Sequence, residues 1–174
     1  MPRRHPPIPR LWLMTDERMG DGLWSALERL PRGSGVVFRH YALARAERVS
    51  LFRRIAKIAR KRRLLLLRAG TCALPGEQGV HGAPGRGFVS WAVHDRAAAV
   101  TARRAGAALV FVSPIFATAS HPGARTLGRV RGGLLVREIR SPVIALGGID
   151  ADRAKALRGL GFHGWGAIDA WMHD

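Results

Sequence analysis

Eight short apolar runs recur along the chain, and each stops abruptly at small, polar or glycine residues. They are Leu11–Met14, Val36–Phe38, Leu64–Leu67, Gly79–His81, Phe88–Val93, Ala108–Val112, Val143–Leu146 and Gly164–Ile168. Most are separated by segments with helical spacing. Buried parallel strands that end in loops read this way. A chain that alternates them with helices is confined to parallel β/α architecture, because parallel neighbours need a crossover between them. Eight units suggest a closed (β/α)8 barrel. At 174 residues the chain is shorter than the roughly 200 residues where such barrels usually begin, so the crossovers around strands three to five must be reduced. A doubly wound open sheet is the alternative. It would want a glycine-rich first turn, and Thr15-Asp16-Glu17-Arg18 is not one.

The intervening segments support that order. Asp21 is placed to cap a helix from Gly22 to Leu30, with Leu23, Ala26, Leu27 and Leu30 on one face. Ala44 to Arg62 carries Val49, Phe52, Ile55, Ala56 and Ala59 at helical spacing, with a nearly all-basic outer face. Ala69 to Gln78 is short and irregular. Gly82 to Gly87, with three glycines and a proline, cannot be a helix. This connection should leave the barrel wall thin there, and an apolar patch on it would favour a homodimer. Asp95 caps a helix to Ala105 that Gly106 stops, Arg129 to Ile139 is helical, and Asp150 caps a helix from Ala151 to Leu160. Asp169 to His173 closes the chain as a turn or short helix.

Residues 1–10 hold four prolines and three arginines and no apolar core, which reads as a basic arm and not a secretory signal. The barrel domain then spans 11–174. No run approaches the ~18 apolar residues of a membrane span, which places the protein in the cytoplasm. A single cysteine, Cys72, excludes an internal disulfide. The formal charge of +17 invites a nucleic-acid partner. The arginines, however, are scattered through the helices and no nucleic-acid motif accompanies them. A solvated basic shell is the simpler reading, with nucleic acid not expected as a partner. One stripe of arginine would reverse that reading.

The chemistry is expected where strands end. Gly147-Gly148, after the seventh strand, lets backbone N–H groups approach an anion with no Cβ in the way, and the helix from Ala151 would add its positive end. His40, His81, His94 and His121 all fall at strand ends or in the loops behind them. Histidine there can act as acid or base, or simply be a polar rim residue. The rim reading suits His40 and His94, and both readings stay open for His81 and His121. No His-x3-His spacing supports a metal site.

In this order and spacing, Leu11-Trp12-Leu13-Met14-Thr15-Asp16, Arg39, Gly79-Val80-His81, His94-Asp95, Ser113 to Thr118 and Ala145 to Ile149 resemble the thiamine phosphate synthase family, including its thiazole tautomerase branch. The resemblance covers Leu11 to about Ala170. It implies a barrel with its site at the C-terminal strand ends, joining a hydroxymethylpyrimidine pyrophosphate to a thiazole phosphate in thiamine biosynthesis or salvage. It also implies roles by position. Arg39 contacts pyrophosphate, and Thr118, Ser120 and His121 stand in the catalytic loop. Gly147, Gly148, Gly166 and Ala167 hold the thiazole phosphate, and His81 and Ser113 touch substrate.

Several positions depart from the family pattern. An ungapped match puts Leu66-Leu67 where the family has an Asn-Asp pair whose aspartate binds magnesium. Gly82 to Gly87 lacks the second metal aspartate, and His121 replaces a lysine. Val37 and Tyr41 replace a glutamine and a lysine beside Arg39, Ala92 replaces a serine, and Pro114 stands where the tautomerases have histidine. Magnesium is the cofactor the resemblance implies, yet no metal ligand can be assigned. The expectation is a synthase-like protein with weakened activity, or a binding module that kept the phosphate site.

Overall fold

The computed structural model describes residues 7–118 and 123–172. Eight strands close into one parallel barrel in sequence order: β1 (Leu11–Met14), β2 (Gly35–Phe38), β3 (Leu65–Ala69), β4 (Gly79–His81), β5 (Phe88–Val93), β6 (Leu109–Val112), β7 (Val143–Ala145) and β8 (Gly164–Ala167). Closure is made by β1 on β8, with Trp12 opposite Gly166. Helices α1 (Gly22–Arg29), α2 (Arg45–Arg62), α3 (Arg96–Arg104), α4 (Gly128–Arg137) and α5 (Ala151–Lys155) supply the crossovers. Neither the β3–β4 nor the β4–β5 connection contains a helix, as the glycine and proline content of residues 82–87 requires.

Paired residues in a parallel sheet face the same side, so the register gives the barrel's interior. Trp12 lies opposite Gly35 and Gly166, Gly35 opposite Leu65, and Leu67 opposite Gly79. Ala69 pairs with His81, His81 with Ser90, and Ala92 with Phe111. Trp12 fills the middle of this interior. Its ring meets Phe111 edge-on at 5.2 Å, and Phe111 in turn meets His81 edge-on at 5.2 Å. The space for the indole comes from glycine: a Cβ on Gly35 would fall 2.2 Å from the Trp12 ring, and one on Gly166 3.1 Å from Trp12 Cβ.

Outside the barrel, α1 buries Leu23, Ala26 and Leu27, and α2 buries Phe52, Ile55 and Ala59. The α2 pattern hides one basic residue that periodicity assigns no role. Arg48 is 9% exposed, donates from Nε to His40 O at 2.7 Å and from Nη2 to Ala69 O at 2.7 Å, and lies over the Phe38 ring. It ties the ends of β2 and β3 together.

Four expectations need correction. Asp21 precedes α1 but makes no side-chain cap bond; Asp95 and Asp150 do cap, accepting from Ala98 N and Arg153 N. α5 ends at Lys155 and not Leu160, because Gly159 and Gly161, at φ 78° and 90°, favour turns over helix. β3 continues through Arg68 to Ala69, since Arg68 spends its charge on Glu77 (Nε to Oε2, 2.7 Å) and is thereby buried. Residues 82–87 fold back over β4, where a Cβ on Gly85 would strike Val80 Cγ2 at 2.4 Å, and Val80 is fully buried. The thin wall therefore carries no open apolar patch at β4. Among the described residues the exposed large apolar side chains are Tyr41, Val100, Val130 and Leu134, none on β4 or β5. No helix of the described residues is long and apolar enough to cross a membrane.

Replacing Gly35 by Ala should lower the stability of the fold by about 1–3 kcal/mol, the usual cost of overpacking. Urea unfolding measures it. An unchanged midpoint would mean that the Trp12 ring is not held as described.

Candidate functional site

A cavity of about 1200 Å³ opens at the C-terminal ends of the strands. Arg39, His81, His94, Ser113, Thr118 and the Gly147–Arg153 segment line it, and it continues past Trp171 to Arg29 on the outer side of β8. Its floor is set by the interior column: Trp12 supports Phe111, and Phe111 supports His81.

His81 is 8% exposed and shares a 3.0 Å hydrogen bond between Nδ1 and Ser90 Oγ. The Ser90 hydroxyl also lies 3.4 Å from Val80 O. Burial, helped by the charge of Arg39, lowers its pKa from 6.5 to about 4. At neutral pH His81 is an uncharged hydrogen-bond acceptor on the cavity floor.

Arg39 is held rigidly at the rim. Its Nε donates to Thr15 O at 3.0 Å, its Nη2 meets Asp16 Oδ2 at 3.1 Å, and its backbone N donates to Thr15 Oγ1 at 3.1 Å. Asp16 also accepts from Arg18 N and Arg18 Nε through Oδ1. Burial opposes its ionisation, but the Arg18 hydrogen bonds and the charges of Arg18 and Arg39 outweigh it and lower its pKa. This carboxylate is thus committed to two arginines. Thr15 Oγ1 also lies 3.0 Å from His40 Nδ1. His40, stacked on Phe38, is buried away from the cavity, and burial holds its pKa down. The rim reading of His40 gives way to a structural one.

The loops after β6 and β7 are joined through their backbones. Ile115 N donates to Leu146 O at 2.9 Å, and Phe116 N to Gly147 O at 3.1 Å. A Cβ on Gly147 would lie 2.8 Å from Pro114 Cα, and one on Gly148 2.0 Å from Ala117 O. Both glycines have positive φ, 92° and 57°. The pair is therefore required by the neighbouring loop as much as by any ligand. Their N–H groups have no protein acceptor among the described residues, which leaves them available at the cavity lip.

Sequence reasoning missed Arg153. It lines the same lip, donates from Nη1 to Gly148 O at 2.5 Å and sits 5.8 Å from the Phe116 ring centroid. Its position, three residues after the capping Asp150, was the available clue. His94 also lines the cavity. Its Nδ1 donates to Ser113 O at 2.7 Å, with Ser113 Oγ at 3.3 Å, so His94 and Ser113 form one unit across β5 and β6.

Of the expected residues, Arg39, His81, Ser113, Thr118, Gly147, Gly148 and Ala167 line one cavity. Gly166 packs in the interior against Trp12. Ser120 and His121 lie outside the described residues. The helix after Gly148 is only five residues long and its N-terminus is filled by Asp150, so it adds no anion site. Leu67 is a fully buried interior residue, two positions before β3 ends at Ala69; the ungapped match placed the strand end too early. No cluster of three or more His, Cys, Asp or Glu residues able to hold a metal occurs among the described residues.

The sequence profile described as thiamine monophosphate synthase matches residues 73–170. The curated relative "Putative thiamine-phosphate synthase 2" of Aquifex aeolicus is 28% identical over 184 residues, covering 95% of this chain and 98% of its own. Thiamine phosphate pyrophosphorylase from Pyrococcus furiosus superposes with a TM-score of 0.78 at 22% identity, covering 94% of this chain and 87% of that one. The Bacteroides thetaiotaomicron pyrophosphorylase gives 0.61 at 19% identity, with 94% and 84% covered. At these identities the superpositions show the fold alone.

The unfolded chain takes up a proton on His81 near pH 6.5, whereas the folded protein resists until about 4. The stability contributed by neutral His81 is thus complete above 6.5 and is lost as pH falls toward 4, by about 1.4 kcal/mol per unit. Urea midpoints compared at about pH 7 and about pH 5 should fall more in the wild type than in His81→Gln. His40 shifts in the same direction but is present in both proteins. Equal falls would remove the buried neutral His81.

Proposed function

The chain belongs to the thiamine monophosphate synthase family, and from that premise we propose that it keeps the thiazole-phosphate half of a synthase site and has lost the magnesium half. The observation that carries the reading is the contrast between two ends of one cavity. At the β7 end, unpaired N–H groups of Gly147 and Gly148 stand beside Arg153. Backbone donors and a guanidinium are the chemistry of a phosphate cradle. At the β3 and β4 ends the chain offers Ala69-Gly70 and His81-Gly82.

Magnesium wants oxygen ligands, chiefly carboxylates and waters. The residues present do not fit it. The strand ends where the family's acids are expected carry none, and Asp16 is already neutralised by Arg18 and Arg39. Asp169 remains at the rim, close enough to Arg18 to raise its pKa. Asp150 and Asp152 also line the cavity, but Asp150 caps α5 and faces Arg153, and Asp152 pairs with Lys155; carboxylates each committed to a cation make a poor magnesium site.

In this reading the substrates are a phosphorylated thiazole and a pyrimidine pyrophosphate. Arg39, fixed by Thr15 and Asp16, meets the pyrophosphate. Neutral His81 accepts a hydrogen bond on the cavity floor, and Thr118 lines the cavity beside the reacting groups; Ser120 and His121 keep the catalytic roles that the family resemblance implies. Departure of pyrophosphate requires its developing charge to be neutralised. With Arg39 already shared with Asp16, little remains for that task, and one missing stabilising contact typically costs ~10²–10³ in rate. The same cradle without turnover is a thiamine-phosphate-binding module, and this is the second reading.

The experiment pairs binding with catalysis. Thiazole phosphate should raise the melting temperature of the protein, and Arg153→Gln should remove most of that shift. With both substrates and magnesium, turnover should stay far below the usual ~1–10³ s⁻¹. Turnover within that range would overturn the loss of the magnesium half. No thermal shift from thiazole phosphate would overturn the cradle. A shift without any turnover would identify the binding module.

A further inference from the structure

The residues present do not fit magnesium, so the charge of a bound pyrophosphate has to be met by side chains. The arginines at the strand ends are already engaged. Arg39 is paired with Asp16, and Arg153 donates to Gly148 O and faces Asp150 at 3.9 Å. His81 is uncharged at neutral pH. His94 differs from all of these. It lines the cavity from just beyond the end of β5 and is exposed there. Among the described residues no carboxylate is hydrogen-bonded or ion-paired to it.

The backbone just past β6 fixes its ring. A carbonyl oxygen only accepts, so the 2.7 Å contact between Nδ1 and Ser113 O puts a proton on Nδ1. Ser113 Oγ lies 3.3 Å from the same atom. Nε2 makes no contact of its own with the described residues. It accepts a hydrogen bond when the ring is neutral and donates one when the ring is charged. Around it, Asp95 caps α3 through Ala98 N, Arg96 pairs with Glu138, and His81 bonds Ser90. The loop after β6 carries Arg125, and the rest of the mouth carries Arg39, Asp150, Asp152, Arg153 and Asp169.

Resting on the synthase-like reading of this cavity, we propose that His94 is a pyrophosphate-binding residue that takes up a proton as the anion binds. Arg39 acts on His81 through its charge. β5 lies about 4.8 Å beyond β4 and is paired with it through His81 and Ser90. An anion held by Arg39 over neutral His81 then comes within reach of His94. Its several negative charges favour a proton on Nε2, and a charge-assisted hydrogen bond is the stronger kind. Anion binding and proton uptake strengthen each other by the same factor. The cavity thereby gains a cation that no carboxylate shares. The contribution of His94 is largest in mild acid and fades as pH rises.

The test is isothermal titration calorimetry with the full chain and inorganic pyrophosphate in magnesium-free buffer. Pyrophosphate itself titrates in this range, so the comparison between proteins is what is read. His94→Gln should weaken binding by ~10-fold at about pH 6 and by much less at about pH 8, since one coupled proton is worth up to ~10-fold per pH unit. Repeating the titration in buffers of different ionisation enthalpy counts protons, and the wild type should take up more than His94→Gln. His94→Arg, charged at both pH values, should restore the binding that the wild type loses in the more alkaline buffer. Equal weakening by His94→Gln at both pH values would overturn the proposal in favour of a neutral hydrogen bond or a packing role. Loss of the pH dependence in His121→Gln but not in His94→Gln would overturn it in favour of His121. Failure of the wild type to bind pyrophosphate would overturn it outright. The thermal shift from thiazole phosphate separates the two levels: if it survives in the wild type, only the role of His94 falls, and if it is absent too, the reading of the cavity falls with it.

Discussion

One indole ring sets the level of everything above it. Trp12 occupies the barrel interior, its Nε1 satisfied by Pro9 O at 2.9 Å, and two glycines on β2 and β8 give it room. Phe111 rests edge-on against it, and His81 rests edge-on against Phe111. Aromatic pairs of this geometry are favourable beyond the area they bury. The column converts a small barrel into a solid one and puts the cavity floor at β4. That floor is dry enough to keep a histidine uncharged, so the polar chemistry falls to the rim.

The rim divides the work between two loop systems. On one side Thr15, Asp16, Arg18 and Arg39 form a closed set in which every charge is answered, so Arg39 is well positioned but only partly available. On the other side the β6 and β7 loops are joined backbone to backbone, and the same glycines that permit the joint leave their own N–H groups unpaired. Phosphate binding and loop packing thus draw on one structural feature. A side chain at Gly148 would disturb both, and mutation there cannot separate them.

The barrel's ends differ in charge because its topology sorts helix ends. Aspartates begin helices, where they cap free N–H groups, as Asp95 and Asp150 do. Arginines finish α2, α3 and α4. Repeated around a closed ring, a local preference worth a fraction of a kcal/mol per helix becomes a molecule with a mixed-charge mouth and a basic base.

Much of this was written in the sequence. Eight apolar runs ending in small residues fixed the number of strands and hence the barrel, because a buried parallel strand has no other way to satisfy its backbone than neighbours on both sides. The helix-free connection at residues 82–87 followed from glycine and proline, whose backbone limits are local. Strand-end position was enough to bring Arg39, His81, Ser113, Thr118, Gly147 and Gly148 into one cavity. Tertiary structure decided what depends on contacts between distant residues. Arg68 could join β3 only because Glu77 reaches it, and this moved the strand's end and placed Leu67 in the core. Gly85 read as a loop residue until Val80 filled the space a Cβ would take, and Gly35, just before the second apolar run, joined β2 where the Trp12 ring fills that space. Arg153 and His94 gained their places from loops far away in sequence. The basic last turns of α2, α3 and α4 came to one end of the barrel only when the chain closed into a ring, since sequence records spacing along the chain, and closure decides which ends meet.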